Sequence, residues 1–313
     1  TFNSMAVDVA RGRLYDPYNG INDLQQRIVR AVGVAGLRCE EDALRILRAF
    51  RFTRRDDGEL WRMDDALRQA IVLHATRLSM VAIERRWMEV QKILEGTRPG
   101  AVLAAMQDQG VLRHVFEHLR VFSPSLFKAL DDERLVALNL HQRLALMMVE
   151  HPTKEAVNQL KALRTSNQLQ RLTASFHERI GHLPDDDHPS LRVFNHVLTN
   201  EAEAHLKTVH VLTEGSFHLH TGRTFDLDVV GNVMKRWSTM PQRTDPVPCL
   251  VDGHWVMART GISEGMRLGR LKQWLHRLQI EEGLSTLEQM EGLLSRTPFE
   301  HGSPQDWPTP TFP

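Results

Sequence analysis

The sequence predicts a mainly α protein with one β-hairpin at its start, and three observations carry that expectation. Apolar and polar residues alternate through MAVDVARGRLYD (residues 5–16) on both sides of an Ala-Arg-Gly turn, the period of two expected of a hairpin. Beyond it the helical period dominates: in MVAIERRWMEVQKIL, Met80, Ile83, Trp87, Val90 and Leu94 recur at steps of three and four. Breakers such as DPYNG (16–20) and GTRPG (96–100) then divide the chain into short segments.

In chain order, TFNSMAVDV reads as a strand from its first residues. DPYNGINDL (16–24) is a loop marked by Pro17, Asn19 and Gly20. Ser79 is a candidate cap for the helix over 80–94, with Trp87 in its core. Helices are predicted over about 101–118, 132–150, 153–164 and 167–182. LPDDDHPS (183–190) is a polar loop, and helix resumes over 191–212. The stretch 213–250 is less regular, with TEGSFHLHTGRTFDLDVVG extended. A loop leads into a long helix within 261–283. The proline-rich end TPFEHGSPQDWPTPTFP is predicted to be disordered. No fixed-period repeat is evident. A two-stranded hairpin is marginal alone. The chain also opens on Thr1 rather than methionine, so a fragment lacking an N-terminal part is expected.

The 313 residues are 42% hydrophobic and 25% charged, an ordinary globular composition sufficient for two or more small domains. Lys plus Arg equals Asp plus Glu at 39 each, so any basic surface must be local. Two cysteines, Cys39 and Cys249, with no CxxC, argue against a disulfide framework or zinc ribbon and for a reducing, cytoplasmic setting. No run of about 18 apolar residues predicts a membrane span.

The densest stretch is EEDALRILRAFRF (40–52). Arg45, Arg48 and Arg51, with Arg55 just beyond, fall three or four apart and would form one stripe on a helix, with Asp42 a turn ahead of the first. Read alone, this is a solvated helix face.

Four stretches together carry a family resemblance. TFNSMA (1–6) resembles the end of RDFTINAMA, LYDPYNGINDL (14–24) resembles IDPFGGxxDL, and EEDALRILRAFRF resembles EDPLRxLRAxRF. LSMVAIERRWMEVQKIL (78–94) resembles a later SxERIxxExxK helix. All belong to the class II tRNA nucleotidyltransferases (CCA-adding enzymes) and the related bacterial poly(A) polymerases. LRTSNQLQRL (163–172) and VDGHWVMARTGISEGMRLGRLKQWL (251–275) look like diverged body and tail segments. The resemblance implies a remnant of the nucleotidyltransferase head (1–32), a neck for base recognition and RNA binding (33–97), a helical body (98–205), a helical, tRNA-binding tail (206–295) and a disordered end (296–313). It places the catalytic, metal-binding carboxylates upstream of Thr1, so no catalytic or metal residue is expected in this chain.

On that resemblance, Asp42 and Arg45 read the base. An ionised Asp accepts and an Arg donates hydrogen bonds. Cytosine and adenine present an amino donor beside a ring-nitrogen acceptor, whereas guanine and uracil reverse the order. One Asp/Arg pair three apart on a helix would therefore favour CTP and ATP, by roughly 1–3 kcal/mol per bidentate contact. Arg48 and Arg51 would touch phosphate or support Arg45, the alternative being a solvated face or pairing with Glu84 and Glu89. Glu84, Arg85 and Glu89 would brace the stripe, and Arg54 and Arg55 lie at the surface. Asn3 would contact the nucleotide ribose. Asp16, Gly20 and Asp23 would form a flexible loop, or a plain turn with an Asp cap. In the tail, Gly265, Arg267, Arg270 and Lys272 would bind tRNA at a helix N-terminus.

GSFHLHTGRTFDLDVV (215–230) mimics a metal site, with Gly215-Ser216 ahead of Asp226 and Asp228 on an expected strand. Its position long after the other motifs argues against it. His205, His210, His218 and His220 offer no metal-ligand spacing, and no His-Asp dipeptide occurs. The expected function is addition of C and A to the tRNA 3′ end from CTP and ATP with Mg²⁺, the chain alone being inactive. The alternatives are a poly(A) polymerase and a non-catalytic RNA-binding module. Neither DNA nor membrane is an expected partner.

Overall fold

The computed structural model describes residues 1–54, 59–119 and 122–312; Arg55 lies outside them. The described chain divides into two compact units, Thr1–Glu178 with Phe217–Gly222, and Arg179–Ser216 with Arg223–Pro313. The architecture is mainly α, as expected, with short strands confined to the first unit.

The first unit opens differently from the strand expected. Phe2–Ser4 is a 3-10 turn, and only then does β1 (Ala6–Asp8) pair antiparallel with β2 (Arg13–Tyr15), Val7 opposite Leu14. The Asp8 carboxylate accepts the Ala10 and Arg11 amides and Gly12 takes a left-handed φ of 61°, which closes the hairpin turn. Phe2 anchors this segment, edge-on to Phe52 and Trp61 at 5.9 and 5.7 Å. Then follow α1 (Gly20–Gln25) and β3 (Ile28–Val29), which pairs parallel with β4 (Arg62–Met63). α2 (Ala35–Glu41) and α3 (Leu44–Phe52) bury Cys39, Ile46, Leu47 and Phe50, and α2 packs on α4 (Asp65–His74).

α5 (Ile83–Leu94) packs on α3, with Trp87 in the core as predicted. Its predicted start is corrected. Ser79 and Met80 belong to a separate 3-10 stretch, where Ser79 bonds the Thr76 carbonyl and Met80 is exposed, and Ala82 opens the helix without a side-chain cap. The buried Arg143 guanidinium donates to the carbonyls of Leu94, Gly96 and Val136 at 2.6, 2.5 and 2.9 Å, satisfying groups that a helix end leaves open.

The two long helices expected at 101–118 and 132–150 are each broken. α6 (Pro99–Asp108) ends before a 3-10 turn at Leu112–His114. α7 (Pro124–Leu130), not predicted, lies across it, and α8 (Leu140–Met147) starts at an Asn139/Gln142 capping box after a 3-10 turn at Glu133–Leu135. Gly100 makes the α6–α7 crossing possible: a Cβ there would stand 1.8 Å from the Phe127 carbonyl oxygen. α9 (Thr153–Ala162) and α10 (Asn167–Ile180) follow as expected.

In the second unit the predicted helix 191–212 is two: α11 (His188–Leu198) and α12 (Ala202–Glu214), separated at Thr199, whose φ is 47°. The boundary expected at 205/206 falls inside α12. The stretch expected to be extended contains α13 (Leu227–Ser238), and α14 (Gly253–Thr260), α15 (Met266–Glu282) and α16 (Leu287–Arg296) complete the unit. One core gathers Val256, Leu271, Leu275, Met290 and Leu293; another gathers Leu191, Phe194, Leu206 and Val233. The end of the chain, expected to be disordered, is docked. Trp307 is buried in the first core, 5.3 Å from Trp274, and Phe312 stands edge-on to Phe194 at 5.1 Å. Among the described residues no helix is long and apolar enough to cross a membrane.

Candidate nucleotide pocket and arginine rows

A cavity of about 440 Å³ opens in the first unit between the 3-10 turn at Phe2–Ser4, the strand end after β3, α2 and α3. Asn3 lines it from the turn and Tyr18 from the following loop, while Arg30, Arg38, Arg45 and Arg48 supply four guanidiniums. Arg30 donates to both Asp23 oxygens at 3.2 Å and reaches Asp64 at 3.4 Å. Arg38 donates to Glu41 at 2.8 Å, and Arg45 stands 4.0 Å from the same carboxylate. Arg48 makes no ion pair among the described residues; its guanidinium lies 5.9 Å from the Phe52 ring. Cys39 is 1% exposed at the cavity wall, and burial raises its thiol pKa against the opposing charge of Arg45. The result is a concave, positively charged wall with some donors already committed and others open, a suitable seat for a phosphate-bearing ligand.

The sequence reading placed Asp42 and Arg45 on one helix face, and the structure corrects this. α2 ends at Glu41, and Asp42 is extended, φ −149° and ψ 101°. One of its oxygens accepts the Leu44 amide at 3.0 Å at the start of α3, and the other accepts Arg85 at 2.9 Å. Asp42 lines a second cavity of about 250 Å³ with Arg77 and Arg85, so the two groups expected to read one base edge border different cavities. The physical reason is local. A carboxylate that caps the next helix is fixed at a junction, outside the helical repeat.

The remaining arginines and their braces divide differently from the expectation. Arg51 pairs with Glu89 at 3.1 Å and lies 4.7 Å from the Phe52 ring, the pairing weighed as the alternative to phosphate contact. Arg85 braces Asp42 rather than the arginines, and Glu84 pairs with Arg164. Arg54 is held by Thr97.

Around the loop 16–24, Asp16 accepts the Gly20 and Ile21 amides at 2.7 and 2.9 Å. The Ile21 and Gly20 bonds hold its carboxyl below the usual range. Asp16 therefore takes the Asp-cap alternative in this structure. Gly20 has a steric reason to be glycine, since a Cβ would stand 2.8 Å from Phe2 Cα. Asp23 is 2% exposed and is gripped by Arg30 and the Thr1 hydroxyl.

In the second unit α15 opens at Gly265, whose φ of 144° favours glycine. Its Arg267, expected to face RNA, donates to the Phe299 carbonyl at 3.0 Å. Arg270, expected in the same role, donates to the carbonyls of Pro304, Gln305 and Trp307 at 3.0, 2.7 and 2.9 Å. Lys272 makes no ion pair or hydrogen bond among the described residues.

The metal-like stretch is also resolved. Asp226 caps α13 by accepting the Asp228 and Val229 amides, so the pair sits at a helix start and cannot alternate along a strand face. Among the described residues no group of three or more His, Cys, Asp or Glu is placed to hold a metal ion. His220 stacks on His177 at 4.1 Å, and His205 packs on Phe194 at 5.4 Å.

Sequence reasoning missed Arg30, Arg38 and Tyr18 as pocket residues. Arg38 carried a usable signal, lying seven residues and two helical turns before Arg45, although the break at Asp42 means that spacing would have succeeded only by chance.

Residues 62–122 match the family described as "Probable RNA and SrmB- binding site of polymerase A". The chain is 35% identical over 161 residues to the mitochondrial CCA tRNA nucleotidyltransferase 1 of Danio rerio, covering 46% of this chain and 37% of that protein. It is 36% identical over 116 residues to a CCA-adding enzyme of Geobacillus sp. (strain WCH70), covering 37% and 28%. Over these stretches the chain is similar to CCA-adding enzymes. A crystal structure of the Bacillus stearothermophilus CCA-adding enzyme in complex with CTP shares its fold, with a TM-score of 0.67 at 21% identity over 95% of this chain and 72% of that one. The chain spans well under half the length of these two curated relatives.

Proposed function

We propose that this chain is the nucleotide-selecting and RNA-holding part of a tRNA nucleotidyltransferase that adds C and A to the tRNA 3′ end from CTP and ATP. The observation that supports this reading most is the 440 Å³ cavity with Arg38, Arg45 and Arg48 on one wall and Asn3 on the other. On this reading Arg48, free of ion pairs among the described residues, meets a phosphate, and Asn3 meets the ribose. Arg45 donates to the ring nitrogen of cytosine or adenine. Asp42 accepts from their amino group only once Arg85 releases it and it turns from its own cavity toward that of Arg45, at the loss of a part-exposed ion pair worth roughly 0–1 kcal/mol. In the reaction itself the tRNA 3′ hydroxyl attacks the α-phosphate and pyrophosphate leaves. Two Mg²⁺ belong to such chemistry in the family, but the described carboxylates of this chain do not fit them: Asp16 and Asp226 cap helices, and Asp23 holds Arg30. A cytoplasmic setting accords with two unpaired cysteines.

The test is direct. The chain is mixed with tRNA lacking its 3′ CCA, Mg²⁺ and labelled CTP, ATP, UTP or GTP. The expected result is binding of tRNA and preference for CTP and ATP, without incorporation by these 313 residues. Equal affinity for all four nucleotides would remove base selection from the cavity, and preference for ATP alone would favour poly(A) polymerase. Incorporation would show that carboxylates within the chain suffice.

A further inference from the structure

The segment 297–312 lies along α15 and is held there by three arginines. Arg267, Arg270, Trp274 and Arg277 fall at steps of three, four and three, which puts them on one helix face. Arg267 donates to the carbonyls of Phe299 and Glu300, Arg270 to those of Pro304, Gln305 and Trp307, and Arg277 to those of Thr309 and Thr311 at 3.2 and 3.0 Å. All seven acceptors are backbone carbonyls. Arg277 is also paired with Glu281, but Arg267 and Arg270 meet no carboxylate among the described residues. The segment thus satisfies their hydrogen bonds while leaving their charge uncompensated. A phosphate oxygen offers these donors the same geometry with a full negative charge, and charge-assisted bonds are about twice as strong as neutral ones.

We propose that residues 297–312 form a strap that occupies the phosphate-seeking donors of α15 and lifts when RNA binds there. The inference rests on the RNA-holding reading above. Trp307 against Trp274 and Phe312 against Phe194 hold the strap down in the absence of RNA, and the exposed turn Glu300–Ser303 is where it can hinge.

The experiment measures binding of unfractionated tRNA to the full chain and to a chain ending at Gly302. Removing the strap frees Arg270 and leaves Arg277 with Glu281 as its remaining partner. The expected result is an affinity gain of about tenfold, with a logarithmic salt dependence steeper by between about one and two. Adding the free peptide 303–313 should reverse both. Equal affinity and equal salt slope in a folded, shortened chain would overturn the strap and leave the RNA reading standing. Loss of tRNA binding by every form would overturn both. Because Trp307 is core, the shortened chain can fail to fold. A second form therefore carries a protease site in the 300–303 turn, is cut there, and bears a fluorophore on the cut segment. Release of that segment as tRNA is titrated supports the proposal. Retention at saturating tRNA refutes it.

Discussion

α3 and α15 both carry arginines at helical steps, and the fold uses them in opposite ways. On α3, Arg45 and Arg48 border an open cavity, Arg45 at 4.0 Å from Glu41, whereas Arg51 pairs closely with Glu89 at 3.1 Å. On α15, Arg267, Arg270 and Arg277 all donate to main-chain carbonyls of their own chain. Both rows follow helical steps, three and three on α3 and three and seven on α15, but their partners differ. A stripe of guanidiniums in a sequence states how many donors share a face; it does not state whether ligand or chain will meet them.

The comparison can be sharpened first by a change that spares both rows. Guanidiniums stay charged across the acid range, whereas each unit buries a histidine. Burial lowers the His177 pKa to about 4 in the first unit and that of His205 to about 4 in the second. A histidine with a depressed folded pKa binds fewer protons folded than unfolded. Its stabilisation is complete above about pH 6.5 and is lost as pH falls toward 4, on the order of 3 kcal/mol for each group. Urea unfolding between pH 7 and pH 4 should show this loss in both units, and a flat profile would contradict the burial of the two rings.

The arginine substitutions then separate the rows. Arg270→Ala removes the donors to three carbonyls and should destabilise the chain by about 2 kcal/mol in urea melts. Arg45→Ala should leave stability within about 0.5 kcal/mol of the parent and lower CTP and ATP affinity about tenfold, relaxing choice among nucleotides. Asp42→Ala, which loses the Leu44 amide bond and the Arg85 partner, should lower stability by about 1 kcal/mol and reduce discrimination against U and G. The smallest effect belongs to Arg48→Ala: no measurable change in melting, a weaker affinity for nucleoside triphosphates than the parent, and a shallower salt dependence of that affinity. If Arg48→Ala melted like Arg270→Ala, the contrast between the two rows would fail.

The elements that the sequence revealed were those whose signal is local. The period through Ile83, Trp87, Val90 and Leu94 marked α5, and alternation marked the hairpin. The family motifs pointed to Asn3, Arg45 and Arg48, which do line one cavity. What stayed hidden depended on groups distant in sequence or on a single backbone angle. The break at Asp42 follows from a side chain that bonds Leu44 and Arg85 at once. α13 was masked because Asp226-Leu-Asp228-Val-Val looks extended, although Asp226 is a helix cap and Val230 and Val233 are its buried face. The final segment has the composition of disorder and is ordered by donors some thirty residues earlier and by the packing of Trp307 and Phe312 on distant rings. Splitting α11 from α12 required one positive φ at Thr199, which no periodicity announces.

Gly20 has a consequence for how this pocket can change. With Phe2 Cα 2.8 Å from where its Cβ would stand, the backbone of one cavity wall rests on the start of α1 without an intervening side chain. A saturation library at position 20 should return glycine almost alone, while Asn3, exposed on the same turn, should accept many residues that fold. Redesign of the ribose end of the cavity is therefore open to exchange of side chains and closed to relocation of the turn that presents them.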